Sequence, residues 1–437
     1  MKYLFFILMA ATVAITTNGQ PELKRKVRPG FTLQKLSNVP GAAVTSVESS
    51  SPAEKSGLVK GDIVLAINDG LITDDYAMQK LLQTVKAGDK IKLKIKRNSN
   101  FVSQAIIFEP LPAPLETFSQ VTLESITLAN DYGDWLRAFV TKPKNVRGKL
   151  PTILFVSWLS CSTIETTDLS DTWSLMLRDV VEKTGALVLR LEKPGVGDSE
   201  GMPCSECDLD REMNGYQVAL RYLKSRSDVD TTNLIIFGGS IGGTLGPLVG
   251  KNHHVKAYVT SVSVYKTWLE HMIELERRRL FLSGKSHAET TDLMPGYIDF
   301  HSEYLVQGKT PEEVIKDKPE WRGLWYDDNA HQYGRPASFY HQVQQQNFFR
   351  NWQAVNVPVL IVAGEYDWIM SLEDGQLLQN MINSKHKGNA TLLIGAGMNH
   401  HWSKFNTPLE AFNEENGTYT SETVASMIAW MKQVFAK

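Results

Sequence analysis

The sequence predicts an α/β protein: a mostly parallel sheet flanked by helices, with a small β-rich domain ahead of it. Three observations predict this. Short, nearly continuous apolar runs recur at Pro151–Leu159, Ala186–Lys193, Asn233–Gly239, Ala257–Ser263, Pro358–Asp367 and Ala390–Gly397, as suits strands buried on both faces. Helical patterns such as Met213–Ser225 lie between them, and alternation of this kind argues for a parallel sheet covered on both sides. Before residue 110 the texture differs, with β-rich runs, glycine turns and a strand-like period-two stretch at Lys92–Arg97.

The chain has 437 residues, of which 42% are hydrophobic, enough for two or three ordinary cores. Forty-six basic and 48 acidic side chains nearly cancel. No basic face argues for nucleic acid, and no polybasic run argues for a lipid surface. Lys92–Arg97 is the densest basic stretch; its lysines alternate with apolar residues, so it is expected to be the solvated face of a strand.

At the N-terminus Lys2 precedes the apolar run Tyr3–Ile15, and Thr17 and Gly19 stand before Gln20. This has the length of a signal-peptide core and is short for a bilayer span. A signal peptide over 1–19 is expected, hence export to the periplasm or medium, with no stable membrane insertion once it is removed. An uncleaved anchor is the alternative.

Residues 28–110 form the β-rich block. Asp74 or Asp75 can cap a helix over Asp74–Val85, whose apolar residues Ala77, Met78, Leu81, Leu82 and Val85 share one face. The block holds no histidine and no cysteine, and so no catalytic constellation. The proline-rich stretch around 111–116 reads as a semi-rigid linker, and 117–437 as the α/β domain. Within that domain, 265–352 shows no clear strand but helical pieces such as Trp268–Phe281. So long an excursion is expected to be a functional insertion or lid.

In Asn233–Gly243, "NLIIFGGSIGG", Ser240 follows an apolar run and is flanked by Gly238, Gly239, Gly242 and Gly243. A sharp strand-to-helix turn exposes its central residue and needs small neighbours. A serine hydroxyl is a weak nucleophile until a base takes its proton, so a histidine and an acid are required downstream. Asp367 closes one apolar run and His400 another, 400 − 367 = 33 residues later, with room for a helix and a strand between. His401 is adjacent; His400 is preferred as the base on geometric grounds. The other eight histidines are assigned to the surface or the lid.

Three cysteines remain. Cys204 and Cys207 have Cys-x-x-Cys spacing, but there is no second pair to complete a four-thiolate zinc site. No metal or cofactor is expected. One structural disulfide with a leftover thiol is expected, its pairing open.

Two resemblances follow from these residues. "SPAEKSGLVKGDIVLAINDGLI" (Ser51–Ile72) closely resembles the bacterial PDZ signature, which implies a groove for an extended peptide or a protein C-terminus between Gly30-Phe31-Thr32 and the following helix. "GGSIGG", "AGEYD", "GMNHHW" and "RLEKPGVGDSEG" (Arg190–Gly201) resemble the α/β-hydrolase superfamily over roughly 117–437, within it the bacterial carboxylesterases, dienelactone hydrolases and prolyl-oligopeptidase-type peptidases. This implies acyl transfer, with Ser240 as nucleophile, His400 as proton carrier and Asp367 orienting it. It also implies an oxyanion hole from the Ile241 N–H and a second N–H at Trp158 or Leu159.

The leading expectation is an exported serine hydrolase acting on carboxylic esters. Cleavage of peptides, with the PDZ domain docking peptide ends, and a non-catalytic binding protein are the alternatives.

Overall fold

The structure, a computed structural model, describes residues 21–36, 40–73, 75–111, 120–166, 170–327 and 330–437. The expected signal peptide, residues 112–116 of the expected linker and the capping candidate Asp74 lie outside them.

The first domain orders β1 (Phe31–Lys35), β2 (Ala42–Val47), α1 (Pro52–Lys55), β3 (Ile63–Ile67), β4 (Gly70–Leu71), α2 (Asp75–Gln83), β5 (Lys90–Arg97) and β6 (Asn100–Ile107) along the chain. Its sheet runs β1-β2-β3-β5-β6, with β4 on β3. The Ser-Pro turn becomes the start of α1: Ser51 accepts from Glu54 N–H, and Pro52 occupies the first turn, where no donor is needed. On β5 the lysines are exposed while Ile91, Leu93 and Ile95 are buried, so the alternation read from the sequence faces as expected. Val44, Leu58, Val64, Met78 and Phe108 close the core.

The second domain follows as β7 (Val121–Ala129), β8 (Trp135–Pro143), β9 (Leu150–Val156), α3 (Thr172–Lys183), β10 (Leu187–Leu191), α4 (Leu209–Ser225), β11 (Val229–Gly239), α5 (Ile241–Val249) and β12 (Ala257–Ser261). An excursion then holds α6 (Trp268–Leu282), α7 (His287–Leu305), α8 (Pro311–Asp317), β13 (His331–Gln332), β14 (Arg335–Pro336), α9 (Ala337–Gln345) and α10 (Phe348–Gln353). The chain resumes with β15 (Val359–Gly364), α11 (Leu372–Lys385), β16 (Ala390–Gly395), α12 (Pro408–Asn413) and α13 (Ser421–Phe435).

The main sheet is ordered β16-β15-β12-β11-β9-β10-β8-β7. Pairings from β16 to β10 are parallel, while β8 and β7 join antiparallel at one edge. One face packs on α4 and α11 through Tyr216, Leu220, Leu378 and Ile382. The other packs on α3 and α13 through Met176, Val180, Met427 and Met431. Each such side chain taken fully from water contributes about 1.5–3 kcal/mol, which is why the strands read as unbroken apolar runs.

The excursion between β12 and β15 is mostly helical but is not free of strands. β13 and β14 form a two-residue hairpin turned by Tyr333 and Gly334, both at positive φ. It is too short to leave a periodic signal. Among the described residues, no helix is long and apolar enough to cross a membrane.

The two domains touch. Arg25 pairs with Glu165 (2.8 Å) and Asp198 (2.9 Å). Lys86 Nζ donates to the carbonyls of Gly197 (2.9 Å) and Ser199 (3.2 Å), and Lys80 pairs with Glu206.

The disulfide joins Cys161 to Cys204, and Cys207 is a buried free thiol that burial pushes up to about 12, which makes it inert. Cross-linking residues 43 apart restrains the unfolded chain by about 2–4 kcal/mol. Cys204→Ser is therefore expected to lower the unfolding free energy by about 2–4 kcal/mol, read as a lower urea midpoint at unchanged slope; an unchanged midpoint would contradict it.

Candidate active site

The site begins with the bend at Ser240, between the end of β11 and the start of α5. Its backbone is at φ 55° and ψ −130°, a region that ordinary residues rarely adopt and that costs of order 1–3 kcal/mol. The neighbours hold it there. A Cβ on Gly242 would lie 2.2 Å from the Val156 carbonyl oxygen and 2.4 Å from that of Ser157; one on Gly238 would lie 2.3 Å from the Gly242 carbonyl oxygen. The bend is tied by Ser240 N–H to the Ser261 carbonyl (2.9 Å) and by the Ser263 hydroxyl to the Ser240 carbonyl (2.7 Å).

The expected partners converge on this bend. Ser240 Oγ lies 3.1 Å from His400 Nε2, and His400 Nδ1 lies 3.0 Å from Asp367 Oδ2. All three residues are buried. The other Asp367 oxygen accepts from Ile369 N–H (3.0 Å) and Met370 N–H (2.8 Å), fixing the carboxylate. Asp367 thus shapes its turn and holds the imidazole at once. The N-cap position of helix α11 is held by Ser371, whose hydroxyl donates to Asp374 (3.1 Å) and caps no backbone N–H. The loop carrying His400 is folded on Asn399, whose side chain accepts from His401 N–H (2.9 Å) and Ser403 N–H (3.2 Å). The His401 ring turns away to Glu414 (2.5 Å), so the choice between the two histidines falls to His400. Burial and His400 hold the His401 ring below its usual value despite Glu414.

Ile241 is the first residue of α5, and Trp158 and Leu159 line the cavity that Ser240 and His400 face. That cavity measures about 910 Å³. Its other walls include Trp173 from α3, Trp268, His271 and Leu275 from α6, and Trp368. The α6 residues follow helical spacing, so one face of the lid helix covers the site. Burial draws the His271 imidazole down to about 3, with Arg278 and His400 adding to it, so it is neutral at ordinary pH. Gly30, Phe31 and Thr32 belong to a different place. Gly30 has φ 73°, Phe31 starts β1 in the core of the first domain, and none of the three lines this cavity.

The family described as "Serine aminopeptidase, S33" matches residues 176–415, more than half of the 437-residue chain. The chain belongs to this family. It has the α/β-hydrolase fold, and the PDZ domain family matches its residues 28–106. Curated relatives include the α/β-hydrolase domain-containing protein WAV2 of Arabidopsis thaliana, 35% identical over 78 residues, which are 18% of this chain and 24% of that one. A probable periplasmic DegP-like serine endoprotease of Chlamydia muridarum is 32% identical over 79 residues, 18% of this chain and 16% of that one. The chain spans a quarter or less of the length of these relatives. Among solved structures, Est1E of Butyrivibrio proteoclasticus is 17% identical over 72% of this chain and 99% of that one, with a TM-score of 0.45. Carboxyl esterase 2 of Tuber melanosporum is 16% identical over 73% and 89%, with a TM-score of 0.44.

In this S33 family member, the aromatic side chains of the excursion serve two different places. Trp325 and Tyr340 are buried in the lid's own core with Phe300 and Tyr304. The cavity wall is drawn instead from Trp173, Trp268 and Tyr333. Nothing in residue type separates the two sets; the helix face does.

A second buried carboxyl, Glu192, meets the Thr163 hydroxyl and the Ile164 N–H (3.2 Å). Burial lifts it to about 7, with these hydrogen bonds opposing. Its folded-state value lies above the ordinary carboxylate one, so the stability tied to its proton is full at acid pH and is lost as pH rises through about 7. Glu192→Gln should flatten the fall in unfolding free energy between pH 5 and 8; an unaltered slope would count against this. Gly242→Ala should destroy the bend. The expected result is an insoluble or inactive protein, and wild-type turnover by a folded variant would refute the packing argument.

Proposed function

We propose that the protein hydrolyses carboxylic esters through an acyl-enzyme on Ser240. What carries this reading is the unbroken chain Ser240 Oγ–His400 Nε2 (3.1 Å) and His400 Nδ1–Asp367 Oδ2 (3.0 Å). Ser240 Oγ attacks the acyl carbon while His400 Nε2 takes its proton. The carbonyl oxygen becomes an oxyanion, received by the Ile241 N–H and an N–H of the Trp158–Leu159 stretch. The tetrahedral species collapses, and the alcohol leaves with the proton from His400. Water then enters, loses a proton to His400, attacks the acyl carbon and releases the acid, returning the proton to Ser240. Asp367 keeps the imidazole in the correct tautomer and stabilises it when protonated.

The walls favour esters. Among the described carboxylates lining the cavity, Glu165 pairs with Arg25, Glu414 pairs with His401, and Asp171 caps α3. A peptidase that grips a free amine needs an uncommitted carboxylate, whereas a neutral ester needs apolar walls such as Trp158, Trp268 and Leu275. Cleavage of peptide ends is the second reading, favoured by the family to which the chain belongs.

Export is part of the proposal. The N-terminal apolar run and the Cys161–Cys204 disulfide both favour an oxidising compartment. A peptide end at the PDZ domain is proposed to dock along β1, which is the edge strand of its sheet.

Ser240→Ala should abolish turnover and fluorophosphonate labelling with the fold intact by circular dichroism. Asp367→Asn should lower kcat by about 10⁴. Short p-nitrophenyl esters should be turned over faster than aminoacyl nitroanilides; turnover of the amides alone would reverse the ranking, and an active Ser240→Ala would end the assignment.

A further inference from the structure

Beneath the loop that carries Trp158 and Leu159 lies a charge cluster that the chemistry above leaves unused. Lys193 Nζ donates to three successive carbonyls, those of Trp158, Leu159 (3.4 Å) and Ser160 (2.9 Å). Glu212 of α4 is 3.9 Å from that nitrogen and 2.7 Å from Arg335. Arg335, on β14 of the lid, also donates to the carbonyls of Leu159 (3.2 Å) and Cys207 (3.0 Å). The three charged side chains are at most 3% exposed.

Two cations thus face one carboxylate in the interior, and the surplus positive charge is met by backbone carbonyls. Desolvating such a group is expensive, and a buried ion cluster is weak as a source of stability. Burial draws the Lys193 ammonium down to about 8, against the pull of Glu212, so it is still charged at neutral pH. What the cluster achieves is orientation. A trans peptide is planar, with its N–H opposed to its C=O. When the Trp158 carbonyl points at Lys193, the Leu159 N–H must point away from it. Among the described residues the Leu159 N–H donates to no protein acceptor, although Leu159 lines the cavity beside Ser240.

We propose that Lys193, backed by Glu212 and Arg335, is the positioning residue of the oxyanion loop: by gathering the carbonyls of residues 158–160 it presents the Leu159 N–H as the second donor beside that of Ile241. This rests on Ser240 being the nucleophile. The sequence loop after β10 that resembles the superfamily's Gly-x-Gly-x-Ser stretch therefore has a second duty, and the lid contributes to the chemistry through Arg335 as well as covering it.

An interaction made to the oxyanion alone is absent in the bound ester, so its loss lowers kcat and leaves KM in place. In the full-length protein, Lys193→Met is expected to reduce kcat for a p-nitrophenyl ester by about 10²–10³. It should weaken inhibition by phenylboronic acid, whose tetrahedral adduct needs the same donors, by a similar factor, with KM little changed. Lys193→Gln, which keeps two donors but no charge, should fall between Met and wild type. Near-wild-type kcat in both variants, or a raised KM with kcat intact, would overturn the proposal. Failure of both to fold would also overturn it, making Lys193 a residue of stability alone. Fluorophosphonate labelling of wild type separates the two readings. No labelling removes the serine mechanism itself, whereas a labelled wild type with unimpaired Lys193 variants removes the positioning role alone.

Discussion

Gly242 brings its Cα against the carbonyls of Val156 and Ser157 with no space for a side chain, and this backbone-to-backbone approach sets where the Ser240 oxygen can be. It locks the first turn of α5 onto the end of β9, so the Ser240 hydroxyl and the loop after β9 are placed by one contact. The strained backbone at Ser240 persists because the strand before it and the helix after it are each fixed by their own cores. His400 and Asp367 then need to arrive at one point, and both do so from loops at the ends of adjacent parallel strands.

Much of this was legible in the sequence because the constraints are local. Glycines around a serine, an acid and a histidine ending later apolar runs, and a Ser-Pro turn before a Gly-Asp each leave a short pattern that survives without coordinates. The lysine alternation of β5 did so too. What could not be read was long-range. Cys161 pairs with Cys204 rather than Cys207 because of where the loop after β9 meets the 3-10 turn at Cys204–Glu206. Trp268 faces the cavity while Trp325 packs inside the lid, and both are tryptophans in a polar, helical stretch. The hairpin at 331–336 is shorter than any period. Lys193 followed an apolar run and carried no signal at all, since its role depends on carbonyls more than 30 residues earlier.

The lid is built as a small helical unit with its own aromatic core, yet it shares side chains with the body beneath it. Ile241 and Leu245 from α5 are buried with Trp268, Met272 and Tyr340. A cover packed on the very helix that follows Ser240 is part of the scaffold at that point.

Arg25 gives the molecule one more property. It lies ahead of the first strand of the PDZ domain, but its guanidinium neutralises Glu165 and Asp198, whose side chains are 3% exposed in the other domain. Cutting the chain at the proline-rich join would leave both carboxylates without that cation, and Asp198 would retain Arg137 at 3.6 Å. The natural unit of dissection is therefore not the one drawn by sequence pattern. The segment near residue 25 serves both domains at once: the Arg25 carbonyl accepts from Ala87 N–H (2.8 Å) in the smaller one while its guanidinium neutralises the larger.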